Sequence, residues 1–161
     1  MRILVISDTH DNLENLKKII KIANKQKFKV IFHCGDLISP FMMKELVNFK
    51  GKVYVVFGNN DGDKESLIKN KPKNVKIFGI YGETRIKGKS IAFVHYDFFG
   101  VALAMLNKFD FVFCGHSHKA YVKRFSNTLL VNPGELAGVI NDASYAIIDL
   151  ISKEAKIVYL E

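Results

Sequence analysis

The first half of the chain alternates continuous apolar runs with amphipathic segments. Arg2–Ser7, Lys29–Cys34 and Lys52–Phe57 are nearly uninterrupted apolar runs, which are typical of strands buried on both faces. Between them, Asn12–Lys25 carries apolar residues at helical spacing with lysines opposite, and Pro40–Phe49 begins with a proline that favours a first helical turn. This βαβαβ order predicts a layered α/β fold.

The second half is richer in predicted strands. A short helix that ends near Lys69 comes first, and another helix is predicted near Phe99–Asn107. Two sheets packed face to face, with helices outside, accommodate all of these elements. Because no linker or repeat interrupts the chain, we expect residues 1–161 to form a single domain. The predicted strands are Val75–Tyr81, Thr84–Lys87, Lys89–His95, Phe109–Cys114, Ala120–Ser126, Thr128–Asn132, Tyr145–Leu150 and Lys156–Leu160.

Polar side chains suited to metal binding follow five of the predicted strands. Four of the five histidines belong to this set, whereas chance placement would scatter them. In open α/β sheets, ligands bind beyond the carboxyl ends of the strands. The residues in question are Asp8, His10, Asp36, Asn59, His95, His116 and His118.

Local spacing supports a metal site. Asp8 and His10 are two residues apart, as are His116 and His118, and side chains at this spacing share one side of an extended backbone. A glycine directly precedes each of Asp36, Asn59 and His116, where a tight turn must bring the backbone close to the pocket. Carboxylates and imidazoles without a thiolate suit Mn²⁺, Fe, Ni²⁺ or Zn²⁺ better than they suit a structural thiolate zinc site.

Five short blocks give the chain a resemblance to the calcineurin-like metallophosphoesterases, in which similar blocks occur in the same order. The chain looks most like their small YfcE-type bacterial and archaeal phosphodiesterases, whose late Asn-Pro-Gly turn is similar to residues 132–134. The resemblance spans nearly the whole chain and implies the family's two-sheet αββα sandwich. The blocks are Ser7-Asp8-Thr9-His10, Cys34-Gly35-Asp36, Gly58-Asn59-Asn60-Asp61, Val94-His95 and Gly115-His116-Ser117-His118.

The resemblance also implies a reaction and a set of ligands. It implies hydrolysis of small phosphodiesters or nucleotides through a hydroxide that bridges two divalent ions, with Mn²⁺ or Ni²⁺ favoured and Fe or Zn²⁺ as alternatives. Asp36 would bridge the ions and, with Asn60, serve catalysis. One ion would be held by Asp8, His10, Asp36 and His118, and the other by Asp36, Asn59, His95 and His116.

Two positions depart from the family pattern. The family usually carries histidine after its metal-binding asparagine, but this chain has Asn60, which cannot act as a general acid near neutral pH. Glycine commonly follows the histidine of the fourth block, but here Tyr96 and then Asp97 follow it. The first departure bears on rate, and the second bears on substrate choice.

Other functional classes stay open. The family includes a retromer subunit that uses this fold as a protein-binding scaffold, and Asn60 makes a similar role for this chain the main alternative. The net charge of +8 leaves nucleic acid as a further partner, although the lysines are spread along the chain. A homo-oligomer is also open. The apolar run at the N-terminus is too short for a signal peptide, and no stretch approaches the ~20 residues of a membrane span, so we expect a cytoplasmic protein without a membrane partner.

Three further polar residues lie near the blocks. We expect Asp11 to cap the first helix, and His33 to be a hydrogen-bonded core residue that supports the ligands. Asp61 is expected either to orient Asn60 or to cap the following helix. Cys34 and Cys114 are expected to be buried free thiols, since two cysteines do not make a disulfide framework.

Overall fold

The computed structural model describes all 161 residues and contains two β-sheets with helices on both outer faces. In chain order the elements are β1 (Arg2–Ile6), α1 (Leu13–Lys25), β2 (Val30–His33), α2 (Pro40–Glu45), a 3₁₀ turn (Leu46–Asn48), β3 (Lys52–Val55), α3 (Lys64–Lys69), β4 (Val75–Ile77), β5 (Tyr81–Ile86), β6 (Lys89–Val94), α4 (Asp97–Met105), β7 (Phe111–Phe113), β8 (Ala120–Phe125), β9 (Thr128–Pro133), β10 (Ser144–Asp149) and β11 (Glu154–Tyr159). The predicted two-sheet αββα sandwich is therefore confirmed.

Parallel strands form the centre of each sheet. The first sheet has the order β11-β10-β1-β2-β3-β4, in which β1 to β4 are parallel and β10 pairs antiparallel with both β1 and β11. The second has the order β5-β6-β7-β9-β8, in which β6, β7 and β9 are parallel. The carboxyl ends of these parallel strands carry the loops that hold the candidate ligands.

Three apolar layers hold the sandwich together. Alternate residues of β1 and β2 face opposite sides of the first sheet: Leu4 and Ile31 pack against α1 and α2, whereas Val5 and Phe32 pack against the second sheet. On the far side, α4 covers β6, β7 and β9 through residues such as Ala104. The shared layer between the sheets supports the proposal that residues 1–161 form one domain.

The predicted strand Val75–Tyr81 is wrong in one respect. The apolar run divides into β4 and β5, which belong to different sheets. The chain crosses between them at Gly79, whose φ of +78° suits glycine, and the Gly79 carbonyl accepts a hydrogen bond from the Phe57 N–H.

No helix of the chain has the length and apolarity that crossing a bilayer requires.

Candidate metal centre

The predicted ligands meet at one edge of the sandwich. Asp8 and His10 follow β1, Asp36 follows β2, and His118 follows β7 on the facing sheet. Asp8 and Asp36 are almost completely buried, while His10 and His118 keep part of their surface exposed. The two sheets thus bring together side chains that are more than 100 residues apart in sequence.

Most of these residues adopt an unusual backbone conformation. The prediction that Asp8 and His10 share one side of an extended strand is wrong, because both lie in left-handed turns. Such a conformation costs a non-glycine residue about 1–3 kcal/mol and is characteristic of functional sites. Backbone hydrogen bonds hold the turns, including those from Asp8 N–H to the Gly35 carbonyl and from His10 N–H to the Asp36 carbonyl. Positive φ angles occur at Asp8 (52°), His10 (41°), Asp36 (56°), His116 (69°) and His118 (59°).

Two glycines allow the backbone to approach the carboxylates. A Cβ atom at Gly58 would overlap Oδ1 of Asp36. At Gly115, a Cβ atom would lie 2.6 Å from Oδ2 of Asp8. These contacts explain why glycine occupies these two positions, since any larger residue would push a candidate ligand out of position.

One group of potential ligand atoms surrounds Asp8. Oδ1 of Asp8 lies 3.8 Å from Nε2 of His10 and 3.5 Å from Nε2 of His118. Oδ1 of Asp8 and Nε2 of His10 are buried and make no hydrogen bond. Buried polar atoms normally have a partner, so these two orphaned atoms fit a cation between them.

A second group contains Asp8, Asp36 and His95. Nδ1 of His95 lies 2.8 Å from the Cys34 carbonyl and donates to it, so Nε2 presents a lone pair. That lone pair faces Oδ1 of Asn59 at 2.9 Å and Oδ2 of Asp36 at 3.5 Å. In a neutral His95 ring with its proton on Nδ1, these three atoms would all present lone pairs, an arrangement that a cation would satisfy and the tautomer that a metal-binding histidine needs.

Oδ2 of Asp36 lies between the two groups, 3.6 Å from Nε2 of His10 and 3.5 Å from Nε2 of His95. This position agrees with a bridging role for Asp36, although Asp8 also belongs to both groups. His116 is different: it does not belong to either group, and its ring packs 5.1 Å from that of His95 and 4.7 Å from that of Tyr96.

Asn60 contacts a carboxylate through both its backbone and its side chain. Its N–H donates to Oδ1 of Asp36 at 2.8 Å, and its Nδ2 donates to Oδ2 at 2.7 Å. The amide therefore fixes the orientation of Asp36, a role that the sequence did not predict.

The structure adds a residue that sequence reasoning missed. Glu135 is fully buried, and Oε2 lies 3.2 Å from Nδ1 of His118. Its carboxylate accepts hydrogen bonds from the N–H groups of Val139, Ile140 and Asn141. Burial alone would raise the pKa of Glu135, but these donors lower it, so the group is a carboxylate that can orient His118. Its position directly after the Asn-Pro-Gly turn was the available signal.

Two predictions about nearby aspartates are wrong. Asn12, rather than Asp11, caps α1, and Asp11 instead accepts hydrogen bonds from the N–H and hydroxyl of Ser39. Asp61 neither caps α3 nor orients Asn60. It accepts hydrogen bonds from the N–H groups of Asp36, Ile38 and Gly58, and so joins two ligand loops.

The remaining polar prediction agrees with the structure. His33 is fully buried and is hydrogen-bonded to the Thr9 hydroxyl and the Gly35 N–H. Burial lowers the pKa of His33 to about 4, so its ring is neutral near pH 7. Cys34 and Cys114 are buried free thiols, as expected.

The charges of the site favour bound cations. Burial would raise the pKa of Asp8, but contacts with His10, Ser7, His95 and His118 lower it below the ordinary range. Asp8 in turn raises the pKa of His10. Carboxylates that stay ionised beside imidazoles form an O/N donor set that suits divalent transition metals.

Comparison with known proteins agrees with this geometry. The family model described as the calcineurin-like phosphoesterase superfamily domain matches residues 1–153. A relative from Methanocaldococcus jannaschii that is named a phosphodiesterase is 30% identical over 167 residues, and the match covers 100% of both chains.

Solved structures give the same picture. A novel archaeal phosphodiesterase superposes with a TM-score of 0.89 at 29% identity, covering 99% of this chain and 100% of the other. Two structures share the fold at lower identity. They are the E. coli phosphoesterase Yfce (TM-score 0.74, 17% identity, 100% of both chains) and Chaetomium thermophilum Vps29 (TM-score 0.74, 16% identity, 99% of this chain and 94% of the other).

Proposed function

The chain belongs to the calcineurin-like phosphoesterase superfamily, and on this premise we propose that it hydrolyses small phosphodiesters or nucleotides with divalent metal ions. One observation carries the proposal: two neighbouring sets of potential ligand atoms lie at the same edge of the sandwich. In the first, Oδ1 of Asp8 and Nε2 of His10 are buried without a hydrogen bond, and in the second, Nε2 of His95 faces Oδ1 of Asn59. We infer two ions, with Mn²⁺ or Ni²⁺ favoured and Asp36 as the bridging ligand. Location in the cytoplasm stays a prediction.

The roles of the residues follow from their contacts. Two divalent ions would supply a water activated at neutral pH and would neutralise charge on the phosphoryl oxygens. His10, His95 and His118 direct ring nitrogens into the site, and we propose His116 as a further ligand beside His95, since the two rings lie 5.1 Å apart. Asn60 holds Asp36 in place and offers no proton to a leaving group.

Metal analysis and a rate assay test the proposal together. Protein purified without chelator should contain close to two ions per chain and should hydrolyse bis(p-nitrophenyl) phosphate when Mn²⁺ or Ni²⁺ is added. Asp8→Asn should lose both properties, whereas Asp142→Asn, at an exposed position, should keep both. A chain that binds no divalent ion would contradict the proposal.

A protein-binding scaffold is the second candidate. Asn60 at the usual histidine position favours it, and so do the exposed apolar residues Phe98, Phe99 and Leu106 on and beside α4. A scaffold does not require a set of buried imidazoles and carboxylates. Fewer than about half a metal ion per chain would favour this candidate, since a two-metal site needs both ions for catalysis.

The basic surface does not favour a nuclease. Five lysines line a groove near the amino ends of β2, β3 and β4, which is the edge of the sheet opposite to the candidate metal centre. A strand of nucleic acid bound there would not place its phosphates at the site. The lysines are Lys29, Lys50, Lys52, Lys73 and Lys76.

A further inference from the structure

A large apolar pocket adjoins the candidate metal centre. Its volume is about 690 Å³, and nine of its 13 lining residues are hydrophobic. This volume lies within the range of about 300–1,000 Å³ that is usual for small-molecule sites. Asn59 and His95 belong both to the pocket wall and to the second group of ligand atoms. A phosphate at the metal centre would therefore have one ester substituent next to the pocket.

The walls of the pocket are mainly rings. The ring of Tyr96 lies between those of His116 and Phe99, 4.7 Å from the first and 6.0 Å from the second. Phe57 and Tyr81 contribute further rings, and α4 closes one side. Aromatic walls favour planar ring systems, which can pack face to face or edge to face against them.

Only one charged side chain lines the pocket. Lys64 is the only lining side chain with a permanent charge, and its Nζ already donates to the Asp61 carbonyl at 2.8 Å. No carboxylate lines the pocket. Lys64 would repel a cationic substituent, and an anionic one would lose hydration against the apolar walls with only this exposed ammonium as a partner, whereas an uncharged ring would gain apolar contact.

We propose that this pocket binds a planar, uncharged ring system that forms one ester substituent of the phosphodiester. The inference rests on the proposed function, because the phosphate must lie at the metal centre for the ring to enter. It assigns Tyr96, which replaces the glycine common in the family, to the wall that selects the substrate.

Binding of three phosphonates to the Mn²⁺-loaded protein tests the proposal by calorimetry. Methylphosphonate, phenylphosphonate and 1-naphthylphosphonate share one head group and resist hydrolysis. Phenylphosphonate should bind about tenfold more tightly than methylphosphonate, and the naphthyl compound at least as tightly as phenylphosphonate, because apolar ring surface leaves water.

Two substitutions in α4 locate the effect. Ala102 is exposed and lines the pocket, so Ala102→Trp should fill it and reduce the phenyl preference to less than about threefold, without weakening methylphosphonate. Met105, on the same helix, is 65% exposed and does not line the pocket, so Met105→Trp should keep the preference. If Ala102→Trp does not fold, Phe99→Ala should reduce the preference instead.

The outcomes separate the two proposals. Methylphosphonate binding without an aryl preference would overturn the pocket assignment and leave the proposed function standing. Failure of all three compounds to bind would overturn both. If the protein dimerises and Ala102→Trp abolishes dimerisation without changing the ligand preference, the face is an interface between copies, and the pocket assignment is wrong.

Discussion

The two walls of the site are built in different ways. The carboxylate wall consists of Asp8, Asp36 and Glu135, which are buried and each accept backbone hydrogen bonds at fixed positions. The aromatic wall consists of Tyr96 and Phe99, and Phe99 leaves 51% of its surface exposed. Charged groups out of water need defined partners, whereas ring contacts tolerate adjustment. A change of one atom should therefore matter far more on the carboxylate wall.

The largest effect is expected from Asp36→Asn. The change removes a charge that we propose two cations share, and the loss of several kcal/mol of transition-state stabilisation corresponds to about 10³-fold or more in rate. Metal content and kcat/KM should fall together. Asp142→Asn is the matched control. A variant that keeps two ions and full turnover would refute the bridging role.

Asn60→His should have the next largest effect, and this effect should be a gain in rate. General acid catalysis is worth ~10²–10⁴-fold, so a histidine able to protonate the departing oxygen should raise kcat/KM about 10²-fold for alkyl esters. Aryl esters should gain less, because phenolates leave without a proton. The gain should also be limited by the loss of the Asn60–Asp36 hydrogen bond.

A series of diesters graded by leaving-group pKa is the measurement for Asn60. The wild-type protein should show a steep dependence and the variant a shallow one. If the wild type already shows no dependence, another group supplies the proton, and the interpretation of Asn60 is wrong.

Glu135→Gln tests whether Glu135, which would contact no ion itself, supports metal binding by orienting His118. Loss of a carboxylate that orients a metal-binding histidine typically costs 10–100-fold in metal affinity, and we expect about 10- to 30-fold here. One of the two ions should weaken more than the other, because Glu135 faces only His118. Glu65→Gln, at an exposed site, is the control. Equal weakening of both ions would point to a general loss of structure.

Acidification should weaken metal binding at the same wall. Asp8 raises the pKa of His10, so the folded protein holds a proton there at higher pH than an ordinary histidine does. Because only neutral imidazole coordinates, metal binding should weaken on acidification, starting at a pH higher than the ordinary histidine pKa of ~6.5, by up to about tenfold per pH unit for this proton. Excess Mn²⁺ should restore activity. An acid limb that is indifferent to metal concentration would place the titrating group elsewhere.

The sequence predicted the strands and the candidate ligands correctly where the signal is local, that is, carried by neighbouring residues in the chain. Strands such as β1 and β2 are continuous apolar runs, and the candidate ligands follow their strands within a few residues. It failed where the contact is distant in sequence: Asp61 accepts a hydrogen bond from the Asp36 N–H, and Glu135 lies against His118. The crossing at Gly79 was missed for a related reason, since one apolar run can serve two sheets.

Tyr96→Phe completes the comparison with the smallest expected effect. Like Asp36→Asn it alters a single polar group, but the contacts of Tyr96 with His95, His116 and Phe99 are made by its ring, which phenylalanine keeps. We expect kcat/KM for an aryl diester to change by less than about threefold, as is usual where no buried partner is lost. The leaving-group dependence should be unchanged as well. A drop of about 10²-fold, confined to alkyl leaving groups, would instead identify the Tyr96 hydroxyl as the proton donor that Asn60 cannot be. The aromatic wall would then take part in catalysis, and the contrast with the carboxylate wall would no longer hold.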